Sequence, residues 1–99
     1  MVITVDELKA GLLIGKIYPY KVDCPWTGIH CLCLLCNKEI WGVNFPPREA
    51  VAFYLEPAHT IRWMNQVIVQ YGPSQVLTWA HVRCTEKFLK RPVPFLNRV

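Results

Sequence analysis

The chain has 99 residues, of which 53% are hydrophobic, 12% aromatic and only 18% charged, and its net charge is +4. This length predicts one domain, and this composition excludes an intrinsically disordered protein. The chain has no run of about 18 apolar residues, so no membrane-spanning helix is expected. Asp6 and Glu7 stand where a secretory signal would be basic, which predicts an intracellular protein with reduced cysteines.

The first third of the chain predicts one helix followed by extended structure. The helix is expected over Asp6–Leu13, and the segment Lys16–Val22 after it is expected to be extended. Pro19 lies in that segment and favours an edge strand, because proline has no N–H to give to a central ladder. A turn is predicted over 24–28 and a short strand over Ile29–Leu34.

The middle of the chain predicts a helix and then a hairpin. Two prolines precede the sequence REAVAFYL, and proline suits a first helical turn, so a helix is expected from Pro47 to about Leu55. The segment Ile61–Tyr71 fits both helix and strand periods, and its β-branched residues favour a strand in the second half. A turn over 72–74 would then connect it to a strand over Gln75–Trp79.

The last element is a predicted helix in the sequence HVRCTEKFLK, which Pro92 would stop. The predicted class is therefore α+β. We expect a single domain over residues 1–99 with a basic tail over 92–99.

Two close pairs of metal-ligating residues lie far apart in the chain. Cys33 and Cys36 form a CxxC pair on a predicted turn, and His81 and Cys84 form an HxxC pair at the predicted start of the last helix. Zinc is bound tetrahedrally by such ligands, so the two pairs predict one structural Zn²⁺ in a Cys3His site. The positive end of a helix dipole is expected to favour the thiolate of Cys84.

The cysteines have other possible uses. Free cysteines are often small core residues, and CxxC pairs also serve in redox proteins, although no βαβ unit surrounds this one. Cys31 is expected beside the site without binding the metal. A second site is an open alternative, and its residues would be Cys24, His30, Cys31 and His59.

The sequences CLLCNKEIW and WAHVRC together resemble treble-clef zinc fingers, in which a CxxC turn, a hairpin and a helix hold one zinc ion. Their ligand pattern is most similar to the poly(ADP-ribose) polymerase-type fingers, and LIM modules share half of it. The resemblance implies the same ligands, Cys33, Cys36, His81 and Cys84. Members of the poly(ADP-ribose) polymerase-type family recognise DNA breaks. The segment between Cys36 and His81 is longer here, so the helix after Pro47 would be an insertion.

The positive charge is concentrated at the end of the chain. The charges over 1–82 cancel, so the whole net charge of +4 comes from the last seventeen residues, which contain five basic residues and one acidic residue. A basic face of this kind predicts binding to phosphates, and DNA is favoured over RNA. Trp26, Trp41 and Trp63 are candidates for stacking on bases. The basic residues expected to bind nucleic acid are Arg83, Lys87, Lys90, Arg91 and Arg98.

Two other functions are considered. The low charge and four tryptophans also fit an adaptor or inhibitor, such as a viral or phage accessory protein, that binds an acidic or apolar protein surface. A nuclease of the HNH type would have to use His59 and Asn65. The chain has no glycine-rich phosphate loop and no paired carboxylates near a histidine, so an enzyme is not expected.

Overall fold

The computed structural model describes residues 3–24, 31–41, 48–71 and 75–96. Its elements in chain order are α1 (Val5–Leu13), β1 (Tyr18–Cys24), β2 (Cys31–Leu32), β3 (Glu39–Trp41), β4 (Arg48–Tyr54), β5 (His59–Trp63), β6 (Gln66–Tyr71), β7 (Thr78–Ala80) and α2 (Val82–Leu89). The predicted α+β class is confirmed. None of the helices in these ranges is long and apolar enough to cross a membrane.

Helix α1 forms where it was predicted, and its ends have local causes. Thr4 is the N-cap, and its hydroxyl oxygen accepts the Glu7 N–H at 3.2 Å, which satisfies one free donor of the first turn. The helix buries Leu8 and packs Gly11 against the buried side chain of Ile17. A Cβ at Gly11 would lie 2.6 Å from Ile17 Cγ1, so only glycine allows this close approach.

The central sheet has the strand order β1-β4-β7, and both pairings are antiparallel. Strand β4 lies in the middle, and its residues Ala50–Phe53 are fully buried. Strand β1 lies at an edge, as Pro19 predicted. The other edge strand, β7, is held to the turn after β2 by a hydrogen bond from the Leu34 N–H to the Trp79 carbonyl at 3.1 Å.

The helix predicted after the two prolines is wrong, because Arg48–Tyr54 forms β4. All seven of its residues pair with β1, from Tyr18 opposite Tyr54 to Cys24 opposite Arg48. A strand covered on both faces is apolar along its whole length and shows no alternation. The pattern AVAFY therefore fits a central strand as well as a helix, and only pairing with distant segments decides between them. Pro46 and Pro47 lie outside the described residues.

The predicted hairpin between Val67–Val69 and Gln75–Trp79 is also wrong. Strand β6 pairs with β5, and β7 pairs with β4. The turn between β5 and β6 consists of Met64 and Asn65, with φ angles of 52° and 61°. Two residues with positive φ match the twist of a two-residue hairpin, but methionine is an unusual choice there and gives no signal in the sequence. The predicted turns at 24–28 and 72–74 lie wholly or largely outside the described residues.

The C-terminal segment packs against β1. The Lys21 N–H donates to the Pro94 carbonyl at 2.8 Å, and the Leu96 N–H donates to the Lys21 carbonyl at 2.9 Å. Val93 is buried, and its N–H donates to a carboxylate oxygen of Glu86 at 3.0 Å. Residues 93–96, within the predicted basic tail, thus cover part of the exposed edge of the central sheet.

Candidate metal centre

The CxxC pair lies on a tight turn between β2 and β3. The Asn37 N–H donates to the Cys33 carbonyl at 2.7 Å, and the Cys33 N–H donates to the Lys38 carbonyl at 2.9 Å. Asn37 has a φ of 61°, in the left-handed region that asparagine tolerates better than most residues. This turn places Cys33 fully buried and leaves Cys36 exposed.

The HxxC pair lies at the start of α2, as predicted. His81 is the N-cap residue and makes no side-chain cap hydrogen bond, and its ring nitrogen Nδ1 faces the sulfur atoms of the site. The buried Thr85 donates its hydroxyl to the His81 carbonyl at 3.0 Å. Cys84 lies one helical turn from His81 and is half-buried.

These two pairs converge on one point. The ligand atoms of Cys33, Cys36, His81 and Cys84 all lie within 4.8 Å of one another, which makes them a group able to hold a metal ion. We call this group the Cys3His cluster. The structure therefore brings together the four residues that the spacing predicted.

The spacing of the ligand atoms fits a tetrahedral zinc ion. Zinc–sulfur bonds of about 2.3 Å and zinc–nitrogen bonds of about 2.0–2.1 Å place neighbouring sulfur and nitrogen ligands about 3.6 Å apart. His81 Nδ1 lies 3.3 Å from the sulfur of Cys36 and 3.8 Å from the sulfur of Cys84. These distances lie on either side of the value that zinc requires.

Two backbone contacts orient the residues of the cluster, and neither has a signal in the sequence. His81 Nε2 lies 3.1 Å from the Glu39 carbonyl oxygen, which accepts its hydrogen and leaves the Nδ1 lone pair facing the cluster. The His81 N–H donates to the Cys33 sulfur at 3.3 Å, a contact that holds this sulfur beside the start of α2. Both contacts depend on the β2–β3 hairpin lying beside the start of α2, which only the folded chain provides.

The thiols differ in acidity because of their surroundings. Burial acts to raise the pKa of Cys36, but hydrogen bonds from the Lys38 backbone, Cys33 and Cys84 outweigh it and lower this pKa. Burial and the neighbouring sulfurs of Cys36 and Cys33 raise the pKa of Cys84 to about 12. The prediction that the helix terminus favours the Cys84 thiolate is therefore wrong for the metal-free cluster. Clustered thiolates repel one another, and a bound cation removes that repulsion.

Among the described residues, the other candidate ligands Cys31 and His59 do not belong to the Cys3His cluster. Cys31 is half-buried against the hydrophobic core and is not one of the four clustered ligands. His59 is exposed at the start of β5. His30 lies outside the described residues, as does the side chain of Cys24, so the alternative second site stays a prediction. Trp26 and the side chains of Trp41 and Trp63 are outside them as well.

The basic residues of α2 reach solvent. Arg83, Lys87, Lys90 and Arg91 are all exposed, and Arg98 lies outside the described residues. Glu86, the one acid in this part of the chain, points elsewhere, because its carboxylate lies 3.4 Å from Lys21 Nζ and accepts the Val93 N–H.

Comparison with known proteins gives no relative. The chain matches no protein-family model, no curated protein and no solved structure.

Proposed function

We propose that the Cys3His cluster binds one structural Zn²⁺. Three thiolates and an imidazole are the donor set that zinc prefers, and four protein ligands leave no position for a reactive water. The zinc would therefore serve the fold and not catalysis. Structural zinc ions contribute about 10–16 kcal/mol at neutral pH, which is a large contribution for a chain of this length.

The arrangement of the ligands supports a treble-clef-like module. The first two ligands lie on the turn between β2 and β3, the β5–β6 hairpin follows, and the last two ligands start α2. This is the order in which treble-clef fingers place their parts. Strands β4 and β7 depart from it, since they pair with β1 in a separate three-stranded sheet.

Nucleic-acid binding is the function that the surface of α2 supports best, and DNA is the expected ligand. The observation that carries this proposal is the set of exposed cations on α2 and just after it: Arg83, Lys87, Lys90 and Arg91. None of the four makes a salt bridge within the described part of the chain. Because two zinc ligands lie on the first turn of α2, zinc would hold these cations in a fixed position, ready for phosphates.

The test is a salt titration of binding by fluorescence anisotropy. The probe is a labelled DNA duplex, with a single strand and an RNA of the same sequence as alternatives. The slope of log K against log salt falls by about 0.9 for each phosphate contact that is lost from B-DNA. We expect Lys87→Ala to weaken binding and to reduce the slope by about one contact.

Lys16→Ala is the matched control, because Lys16 is an exposed lysine in the turn after α1. It should leave the slope unchanged. The triple variant Lys87→Ala, Lys90→Ala, Arg91→Ala should lose most of the affinity. Equal effects of Lys87→Ala and Lys16→Ala, or no binding by the zinc-loaded wild type at low salt, would contradict the proposal.

A further inference from the structure

An open groove of about 550 Å³ lies beside the Cys3His cluster. Its volume lies within the range of about 300–1,000 Å³ that is usual for ligand sites. We call it the lysine groove. Residues of α1, of the turn after β2 and of α2 line it: Lys9, Leu35, Cys84, Lys87, Phe88 and Lys90.

The floor of the lysine groove is apolar. Leu35 and Phe88 pack partly against the hydrophobic core and leave part of their surface on the groove side. Cys84 and Phe88 are four residues apart on α2, so they lie on the same face of the helix. Apolar surface at the base of a concave site is a favourable place to bury an apolar side chain.

The charged residues that line the lysine groove are all lysines. Lys9 comes from α1, Lys87 from α2, and Lys90 from the left-handed residue that ends α2. Lys9 Nζ lies 5.6 Å from the centre of the Phe88 ring, so one cation already stands over the apolar floor. No acidic side chain is among these lining residues, and none of the three lysines makes a salt bridge within the described ranges.

We propose that the lysine groove is a docking site for an acidic peptide segment that carries an apolar or aromatic side chain. Charge complementarity favours an anionic partner, because three lysines and no acid are among the residues that line the groove. The floor requires an apolar group between the anions. A nucleic-acid base fits less well, because the groove lining has lysine donors but no carboxylate, amide or hydroxyl oxygen to accept the N–H groups of the base.

This site goes beyond the proposed nucleic-acid binding, but the two overlap. Lys87 and Lys90 belong both to the basic surface of α2 and to the rim of the lysine groove. An acidic peptide in the groove would therefore compete with nucleic acid for these cations. Lys9 lies on α1, outside the proposed nucleic-acid surface, and so distinguishes the two sites.

The experiment measures binding of two labelled peptides to the zinc-loaded full chain by fluorescence anisotropy. Both are short peptides of aspartate, glutamate and serine with the same charge, and one has a central tryptophan where the other has serine. We expect the tryptophan peptide to bind about tenfold more tightly, which is the effect of burying an aromatic side chain. Lys9→Glu should weaken its binding about tenfold, because a carboxylate would then face the acidic peptide.

Lys16→Glu is the matched control, because it changes the net charge equally on an exposed lysine outside the groove. It should change the affinity less than about twofold. Equal binding of the two peptides, or equal effects of Lys9→Glu and Lys16→Glu, would overturn the proposal and leave only attraction between net charges. The proposal would also be overturned if the protein did not bind the tryptophan peptide but bound a single-stranded oligonucleotide with an affinity that Lys9→Glu reduces. Failure of nucleic-acid binding would not change the peptide result.

Discussion

Replacing Cys36, the exposed cysteine of the Cys3His cluster, by serine separates metal binding from core packing. Cys36 is exposed, whereas Cys31 is half-buried and packs against the core. If the cysteines only filled the core, Cys31→Ser would be the costlier change, since exposed positions usually change the unfolding free energy by less than about 0.5 kcal/mol. If zinc binds the Cys3His cluster, the order reverses, because Cys36→Ser removes one of four ligands.

The size of the effect follows from the affinity of structural zinc. Sites of this kind contribute about 10–16 kcal/mol, so one ligand in four corresponds to about 3 kcal/mol or more. That is a large part of the unfolding free energy of about 5–15 kcal/mol that is usual for a domain. We therefore expect Cys36→Ser to lose about 3 kcal/mol or more and Cys31→Ser to lose about 1 kcal/mol.

The assay is urea unfolding of both variants and the wild type, followed by tryptophan fluorescence in zinc and again with a chelator. In zinc, Cys36→Ser should unfold at a much lower urea concentration than Cys31→Ser. The chelator should remove the difference between Cys36→Ser and the wild type. If Cys36→Ser unfolds like the wild type in zinc, the reasoning is refuted, because the exposed thiol then contributes nothing through a metal.

Three further predictions concern protonation, packing and the C-terminal segment. Zinc affinity, measured by competition with a chelating dye, should fall as the pH is lowered from about 7 to 5. The pKa of Cys84 is raised to about 12 in the metal-free cluster, so zinc must displace its proton, and the affinity should fall by up to about tenfold per pH unit for each thiol proton displaced. A flat pH profile would contradict thiolate ligation. Gly11→Val should lower the unfolding free energy by about 1–3 kcal/mol in urea unfolding, because its side chain would overpack against Ile17. Ala10→Val, on the exposed side of α1, should lower it by only a few tenths of a kcal/mol, and equal losses would disprove the close packing at Gly11. The Glu86 carboxylate accepts the Val93 N–H at 3.0 Å, so Glu86→Ala should speed hydrogen exchange at the Val93 amide. Unchanged protection would show that this hydrogen bond does not hold the C-terminal segment.

The four residues of the Cys3His cluster could be predicted from sequence because their signals are local. A CxxC turn and an HxxC helix start each bring two donors together within one turn of chain, and zinc chemistry requires four. Helices α1 and α2 were also predicted from local residues, the first over Asp6–Leu13 and the second in HVRCTEKFLK, which Pro92 stops. In these segments the nearest neighbours in the chain determine the structure.

The strand pairing could not be predicted because it depends on distant segments. Strand β4 is buried on both faces over Ala50–Phe53, so its residues show no alternation, and the two prolines before it were interpreted as a helix start. The β5–β6 turn uses Met64, whose positive φ no propensity suggests. The acidity of Cys84 was misjudged for a similar reason. The sulfurs that raise its pKa belong to Cys33 and Cys36, which lie far away in the chain.

The measurement that tests the central claim most directly is zinc-edge X-ray absorption of the purified protein, combined with elemental analysis. We predict one zinc per chain, with three sulfur ligands at about 2.3 Å and one nitrogen ligand at about 2.0–2.1 Å. Protein that is folded and free of metal would contradict the account. A shell of four sulfurs would also contradict it, because His81 would then not be a ligand.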